Sequence, residues 1–562
     1  MSRTVFYDKA EKPLRLSRRS RREIAHYAPL AGDRMYRKQQ RQQLEFPDFY
    51  LPFSGELDPE NRWVVLARLV PWELAEEIYH NGLCGDFGAP IVPSRTALGA
   101  LLVKERLGLT DRETVETIQE NPYLQFFLGL EEFTQDKPFD ASLMVDFRKR
   151  FGEDGMQRLA EAIALASLPQ AESTDEESED EPPPSAGTQE QPTSSEQTGE
   201  TDANRGKLII DATCAPADIR YPTDVSLLNE AREKTDAIID LLHAPLVGQE
   251  PRPRTYRQKG RRQFVAFVKQ KKPRRNKIRQ ANRQQLGYLR RNLQAIQRLL
   301  EHPDALPLTE LVRRDYKNLL VCRELYRQQL QMYETKTQRI DDRIVSISQP
   351  HVRPIKRGKA GRDTEFGAKL SLSVVDGFSF VDRLSWNSYN ESTDLIGQIE
   401  TYRQRFGFYP ESVHVDQIYR TRANRTSCKE HGIRMSGPPL GRKPQQVSAA
   451  DKKQAAADEA IRNQVEGKFG QGKRRFGLGR IMAKLASTSA AQISLSFLVM
   501  NLERALRQFF FSPVLLVHGW DRPALTRHYD CWPPFSRLRS WALKTLGRTS
   551  ERPSLRLRAP VD

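Results

Sequence analysis

Cysteine is sparse in this chain. Five residues in 562, Cys84, Cys214, Cys322, Cys428 and Cys531, stand far apart with no CxxC pair among them. That argues against a disulfide framework or a Cys-based zinc site, and it fits a reducing cytosol. Long apolar runs are missing too. The longest, ISLSFLVM at 493–500, is broken by serines and falls far short of the roughly 18 residues a membrane span needs. The first residues are basic but hold no apolar stretch, so no secretory leader is expected. No GxxxxGK[ST] loop occurs, so no nucleotide cofactor is expected. The nine histidines show no metal-ligand spacing.

Two segments each lack charge of one sign. Residues 251–300 hold seventeen Lys or Arg and no Asp or Glu. Fifty residues without a compensating acid favour nucleic-acid contact over a merely solvated face. The weak apolar face and few aromatics argue against a membrane surface. Leucines and Ile296 recur at helical spacing from Asn282 to Leu300, and a second such pattern runs from Leu308 to Asp341. Residues 250–345 therefore read as a basic helical insertion. Residues 171–202 are the reverse, with eleven acids and no Lys, Arg or aromatic. Such a segment buries too little to offset its ordering entropy and reads as a disordered linker within 167–206. Over the whole chain the formal charge is +17 and the pI about 9.6, a long-range preference for polyanions.

What is present falls into a helical and a mixed part. A basic arm occupies 1–59. Over 60–166 short helices are expected. Ser94 precedes a periodic run through Leu98, Leu101, Leu102 and Leu107 that Gly108 ends. Thr110 and Asp111 cap the next helix, which stops before Pro122, and Ser142 opens another that ends at Arg150. Short helices with tight turns suit a helix-turn-helix-like DNA reader or a plain helical bundle, and spacing does not choose between them. From 207 the pattern alternates. KLIID (207–211), FGAKLSLSVVD (366–376) turning at Gly377 into FSFVDRLSW, SVHVD (412–416) and IRMSG read as strands. Helices follow Ser392 and Asp416, and a last one starts at Ala449. The order is that of a mixed α/β layer fold, divided by the insertion into 207–249 and 346–510, with RPIKRGKAGR (353–362) as its basic return and 511–562 as a tail.

Two strands run into carboxylates, Asp211 and Asp416, at the sheet edge where sites form. A third acid stands out in IRNQVEGKFGQGKRRFG (461–477). Glu466 is the only carboxylate there, among Arg462, Lys468, Lys473, Arg474 and Arg475. On a continuous helix Arg462, Glu466 and Lys473 fall within roughly 40° of one another. Gly467, Gly470 and Gly472 weaken that helix by about 1 kcal/mol each and could leave Lys473 in a loop. Alone, the stretch reads as a salt-bridged surface helix. With Asp211 and Asp416 it reads as three carboxylates able to hold two hard divalent ions beside phosphate-binding cations.

Taken together, RNQVEGKFGQGK, HVDQIYRTRANR, LIIDATCAPADIRYPTDVSLLNEAR and RGKAGRDTEFGAKLSLSVVDG resemble bacterial insertion-sequence transposases of the DDE class. ALGALLVKERLGLTDRETVETIQENPYLQFFLGL is similar to the helical N-terminal domain of InsH-type members. The resemblance implies an RNase H-like core with Asp211, Asp416 and Glu466 as the catalytic, metal-binding triad. It implies Mg²⁺, two ions, with Mn²⁺ able to substitute. Arg462 and Lys473 match the R(3)E(6)K signature and are the implied DNA contacts, with Lys468 and Arg474 beside them. The Tyr usual three residues before that Arg is Glu459 here, a candidate ion-pair partner for Arg462. The implied partner is double-stranded DNA, element ends and target, handled by a homodimer in a prokaryotic cytoplasm at the nucleoid, with no membrane. A DNA-binding protein without catalysis and a general metal nuclease are the rival readings. Asp218 and Asp224 are weaker acid candidates, Asp376 reads as a turn residue, His414 as core, and nothing marks Cys214 as a nucleophile.

Overall fold

The structure, a computed structural model, describes residues 55–81, 91–168, 203–356, 364–438, 441 and 448–517. Most of the basic arm, nearly all of the acidic linker, the return over 357–362, the end of the tail, Cys84 and Cys531 lie outside the described residues.

The N-terminal unit holds α1 (Arg62–Leu69), α2 (Trp72–His80), α3 (Ser94–Leu107), α4 (Asp111–Glu120), α5 (Pro122–Phe127) and α6 (Leu143–Ser167). Local chemistry sets most of these boundaries. Gly108 closes α3 at φ 70°, a left-handed conformation that glycine adopts without strain. Thr110 and Glu113 form a reciprocal capping box at the start of α4. Asn121 caps α5, with Pro122 in its first turn. Helix α6 does not stop at Arg150. It bends at Gly152 and continues, because Met156, Leu159 and Ile163 have a core to enter.

One mixed sheet carries the second part. Its strands are β1 (Lys207–Pro216), β2 (Arg353–Lys356), β3 (Thr364–Val375), β4 (Phe378–Ser385), β5 (Ser412–Val415) and β6 (Arg434–Met435). They run in the order β2-β3-β1-β5-β6, with β4 also paired to β3. β1 is antiparallel to β3 and parallel to β5. β1 outruns its apolar start, because Ala212 to Pro216 go on pairing with β3 down to Gly367. Asp376 (φ 47°) and Gly377 (φ 84°) make the β3–β4 turn, so Asp376 is the turn residue its sequence indicated.

Between β1 and β2 stand α7 (Asp224–His243), α8 (Arg257–Val268), α9 (Arg275–Glu301) and α10 (Arg313–Thr335). The helical unit begins earlier than the basic composition suggests. α7 is built into it through two small apolar cores, one around Ile238, Leu242, Ile296 and Leu299, the other around Leu228, Leu289, Cys322 and Leu325. Both ends of this bundle meet the sheet at one place, since Pro216 and Arg353 each pair with Gly367 of β3. A Cβ on Gly367 would lie 2.0 Å from the Ala215 carbonyl oxygen, so only glycine fits there.

Four further helices complete the chain: α11 (Leu395–Phe406), α12 (Arg422–Glu430), α13 (Ala449–Arg475) and α14 (Ala486–Val517). α14 packs along α6 and also touches β4, α1 and α3. The N-terminal helices and the sheet thereby share one apolar core. Among the described residues no helix is long and apolar enough to cross a membrane.

Candidate functional site

Strand register brings the first two acids together. Ile210 of β1 pairs with Val415 of β5 in parallel, so Asp211 and Asp416 are the next residues on neighbouring strands, whose backbones lie about 4.8 Å apart. Each carboxylate is steadied locally: Asp211 accepts from the Ala212 N–H at 2.8 Å, and Asp416 from the Gln417 N–H at 2.7 Å.

Helix α13 lies over this edge. Val465, with Ile461 and Phe469, packs on Ile209 and Val374. Ile209 and Asp211 are two apart on one strand and so face the same side, which is the side α13 covers. The first half of the helix is tied down by Asp458. Arg434 donates to both its oxygens at 2.9 Å and Gln454 at 3.0 Å. His414 is fully buried beneath, its Nδ1 3.6 Å from Asp458 and its Nε2 3.1 Å from the Ser412 hydroxyl. Burial holds that imidazole below its usual pKa. It is a core residue, as expected.

The helix runs unbroken through its glycines to Arg475, so Lys473 is helical and shares the face of Arg462 and Glu466. Arg462 is the hub. It donates to Glu459 at 2.7 and 3.2 Å and to Glu466 at 3.2 Å, and those hydrogen bonds and charges hold its guanidinium above the usual range. Arg462 is largely covered, whereas the Glu466 side chain is 58% exposed. Lys468 and Arg474 fall on other faces. Lys468 is half-buried, and Arg474 hydrogen-bonds the Gly470 carbonyl at 3.2 Å.

The electrostatics centre on Asp211. Burial pushes its carboxyl up to about 6; Glu391 and Asp416 push the same way, and Arg462 opposes them. Glu391 is a residue the sequence did not single out. It sits in the turn before α11, paired with Lys369 of β3 at 3.0 Å, and only the folded turn brings it to Asp211. The other acids are elsewhere. Asp218 is held by Arg480 at 2.8 Å, and Asp224 by Arg343 at 2.6 Å and Gln329 at 3.0 Å.

The donor set at Asp211 and Asp416, hard oxygens beside a further acid, suits a divalent cation. Glu466 does not join them in this arrangement, because Arg462 holds it. Among the described residues no three His, Cys, Asp or Glu side chains form a ready-made metal cluster.

Two families match segments of the chain. A transposase DDE domain matches residues 413–503, which contain Asp416, Arg462 and Glu466. A second transposase domain, DUF772, matches residues 52–150. An uncharacterized protein, ORF8 in the nfe locus of Rhizobium meliloti, is 38% identical over 112 residues, 20% of this chain and 54% of that protein. The chain thus spans about half the length of this curated relative. No solved structure matches. The helical unit before the linker and the later half of the sheet domain are therefore both matched by transposase domains of mobile elements.

Proposed function

We propose that the protein is a DNA transposase that binds the ends of its insertion sequence, cleaves a strand there and joins the freed 3′ hydroxyl to target DNA. The observation that carries this is the register of β1 against β5, which sets Asp211 beside Asp416 under the helix bearing Arg462 and Glu466. The sheet order and the DDE-domain match support an RNase H-like core.

Asp211 and Asp416 would hold Mg²⁺, or Mn²⁺ in its place, with Glu466 completing the set for two ions on release from Arg462. Bound there, the metal supplies an activated oxygen nucleophile and charge stabilisation on the leaving oxygen. The protein's part is placement. β1 and β5 fix two carboxylates, Val465 fixes the height of α13, and Arg462 and Lys473 face the site as phosphate contacts. Arg474, one residue on and exposed, extends this positive end. The basic bundle α8–α9 and the N-terminal helices supply binding along the duplex. Two ends handled together call for a homodimer.

The test is strand cleavage of DNA carrying the flanks of the encoding gene, with Mg²⁺ or with chelator. Cuts at the flanks that need both metal and Glu466, and vanish in Asp416→Ala while binding persists, are expected. Tight binding without cuts by any form would favour a non-catalytic DNA-binding protein. Cuts without preference for the flanks would favour a general nuclease.

A further inference from the structure

We infer that Arg420 is a further catalytic residue, whose guanidinium holds the phosphate of the strand being cut on the edge that carries Asp211 and Asp416. The inference rests on the strand cleavage proposed above.

Arg420 lies four residues after Asp416, where the short turn Gln417–Tyr419 has ended and α12 has not begun. The turn brings its side chain back onto the strand. Its Nη2 donates to the Val415 carbonyl oxygen at 2.8 Å, and that carbonyl belongs to the peptide joining Val415 to Asp416. The guanidinium also lies against Gly437. Val413 of β5 pairs in parallel with Met435 of β6, so Val415 and Gly437 come level two residues on. A Cβ on Gly437 would stand 2.2 Å from Arg420 Cζ and 2.3 Å from its Nη1, and the φ of Gly437 is 100°. Only glycine leaves room there. The surrounding backbone is fastened too. The buried Asn424 side chain donates from Nδ2 to the Tyr419 and Ser392 carbonyls, both at 2.8 Å, and Arg425 donates to the Pro438 carbonyl at 2.8 Å.

A guanidinium has five N–H donors. One goes to Val415, and the Nε–H is buried with no partner. Among the described residues no carboxylate forms an ion pair with Arg420. Arg462 differs, because Glu459 and Glu466 hold it. Arg420 is therefore a fixed, half-buried cation beside Asp416 with donors to offer. A phosphodiester oxygen fits it, since a guanidinium matches phosphate in charge and planar geometry. In the cleavage, one water adds to phosphorus and the bond to the 3′ oxygen breaks. One proton of the water ends on that oxygen, and the remaining hydroxyl stays on the 5′ phosphate. Arg420 neither gains nor loses a proton. It donates to a non-bridging oxygen where negative charge gathers in the transition state, from a position set before the DNA arrives.

The test compares the full chain with Arg420→Gln and Arg420→Lys on duplex carrying the flanks of the encoding gene. Mn²⁺ affinity without DNA is measured by calorimetry. Duplex affinity is measured with Ca²⁺, and the cleavage rate at saturating duplex with Mg²⁺. Arg420→Gln should bind Mn²⁺ as tightly as the wild type or more tightly, since a cation beside the carboxylates is gone. Its duplex affinity should fall about tenfold and its cleavage rate roughly a hundredfold or more. A residue that only steadied Asp416 would give the reverse metal result, so Mn²⁺ binding that weakens along with cleavage overturns the phosphate contact. Cleavage at the wild-type rate also overturns it and leaves the transposase reading standing. Thermal melting guards against a folding defect. Should Arg420→Gln melt early, Arg420→Lys decides. It keeps the charge and loses the planar fork, so cleavage should slow by about tenfold with Mn²⁺ affinity held; a wild-type rate there overturns the inference. Failure of the wild type to bind or cut the duplex overturns both readings.

Discussion

Arg462 serves two carboxylates on its own helix, and it pairs more closely with Glu459 than with Glu466. Glu459 therefore competes for the cation that holds Glu466. Glu459→Gln should leave Arg462 resting on Glu466 alone. We expect the Mg²⁺ concentration needed for half-maximal cleavage to rise several-fold while the melting temperature stays within a degree or two, since exposed pairs contribute about 0–1 kcal/mol. An unchanged metal requirement would refute the competition. Asp211 and Asp416 were legible because each ends an apolar run. Glu391 was not, because nothing in SYNEST marks an acid that only a folded turn brings to Asp211. A second titration sits far from the site. Glu105 is buried against α14, accepts from the Ser496 hydroxyl at 2.7 Å, and is pushed by burial up to about 7. Its folded pKa lies above its unfolded value of 4.5. Its contribution is thus present below about pH 4.5 and lost as the pH rises through 7. Glu105→Gln should stabilise the fold at pH 8 by on the order of 1–3 kcal/mol, and the gain should fade towards pH 5. Denaturant titrations at both pH values check this.

At the scale of elements, α13 shows where sequence and structure part. Propensity counts three glycines against the helix, yet it runs on to Arg475, because Ile461, Val465 and Phe469 anchor it on the sheet and packing outweighs propensity. The glycines are not alike. A Cβ on Gly467 meets nothing within 4 Å, whereas one on Gly472 would lie 2.6 Å from Leu478 Cδ1 and 3.3 Å from Met500 Sδ. Gly467→Ala should stabilise by about 1 kcal/mol. Gly472→Ala should destabilise by about 1–3 kcal/mol. Thermal melting of the two, with opposite signs, is the check. The extension of α6 past Arg150 was hidden for a related reason. Its buried face is made by α14, more than three hundred residues away in sequence, and no local signal announces that partner. Caps and strand alternation, being local, were readable.

Over the whole molecule, composition marked out a basic insertion and an acidic segment, but not how the insertion is built. The bundle begins at α7, whose sequence is less basic than those of α8 and α9, because its apolar stripe is the floor on which α9 and α10 rest. Deleting 171–202 removes eleven negative charges and no positive ones. Non-specific duplex binding at low salt should tighten, and the difference should shrink as salt rises; equal affinities at low salt would count against any contest between that segment and DNA. The bundle's attachment has a further consequence. Its entry at Pro216 and its exit at Arg353 flank one residue, Gly367, so the two ends are about two strand spacings, roughly 10 Å, apart. Asp211 has already been set in register before the chain departs. Inheritance can therefore lengthen, shorten or exchange this bundle as a cassette while the edge that carries Asp211 and Asp416 is passed on intact.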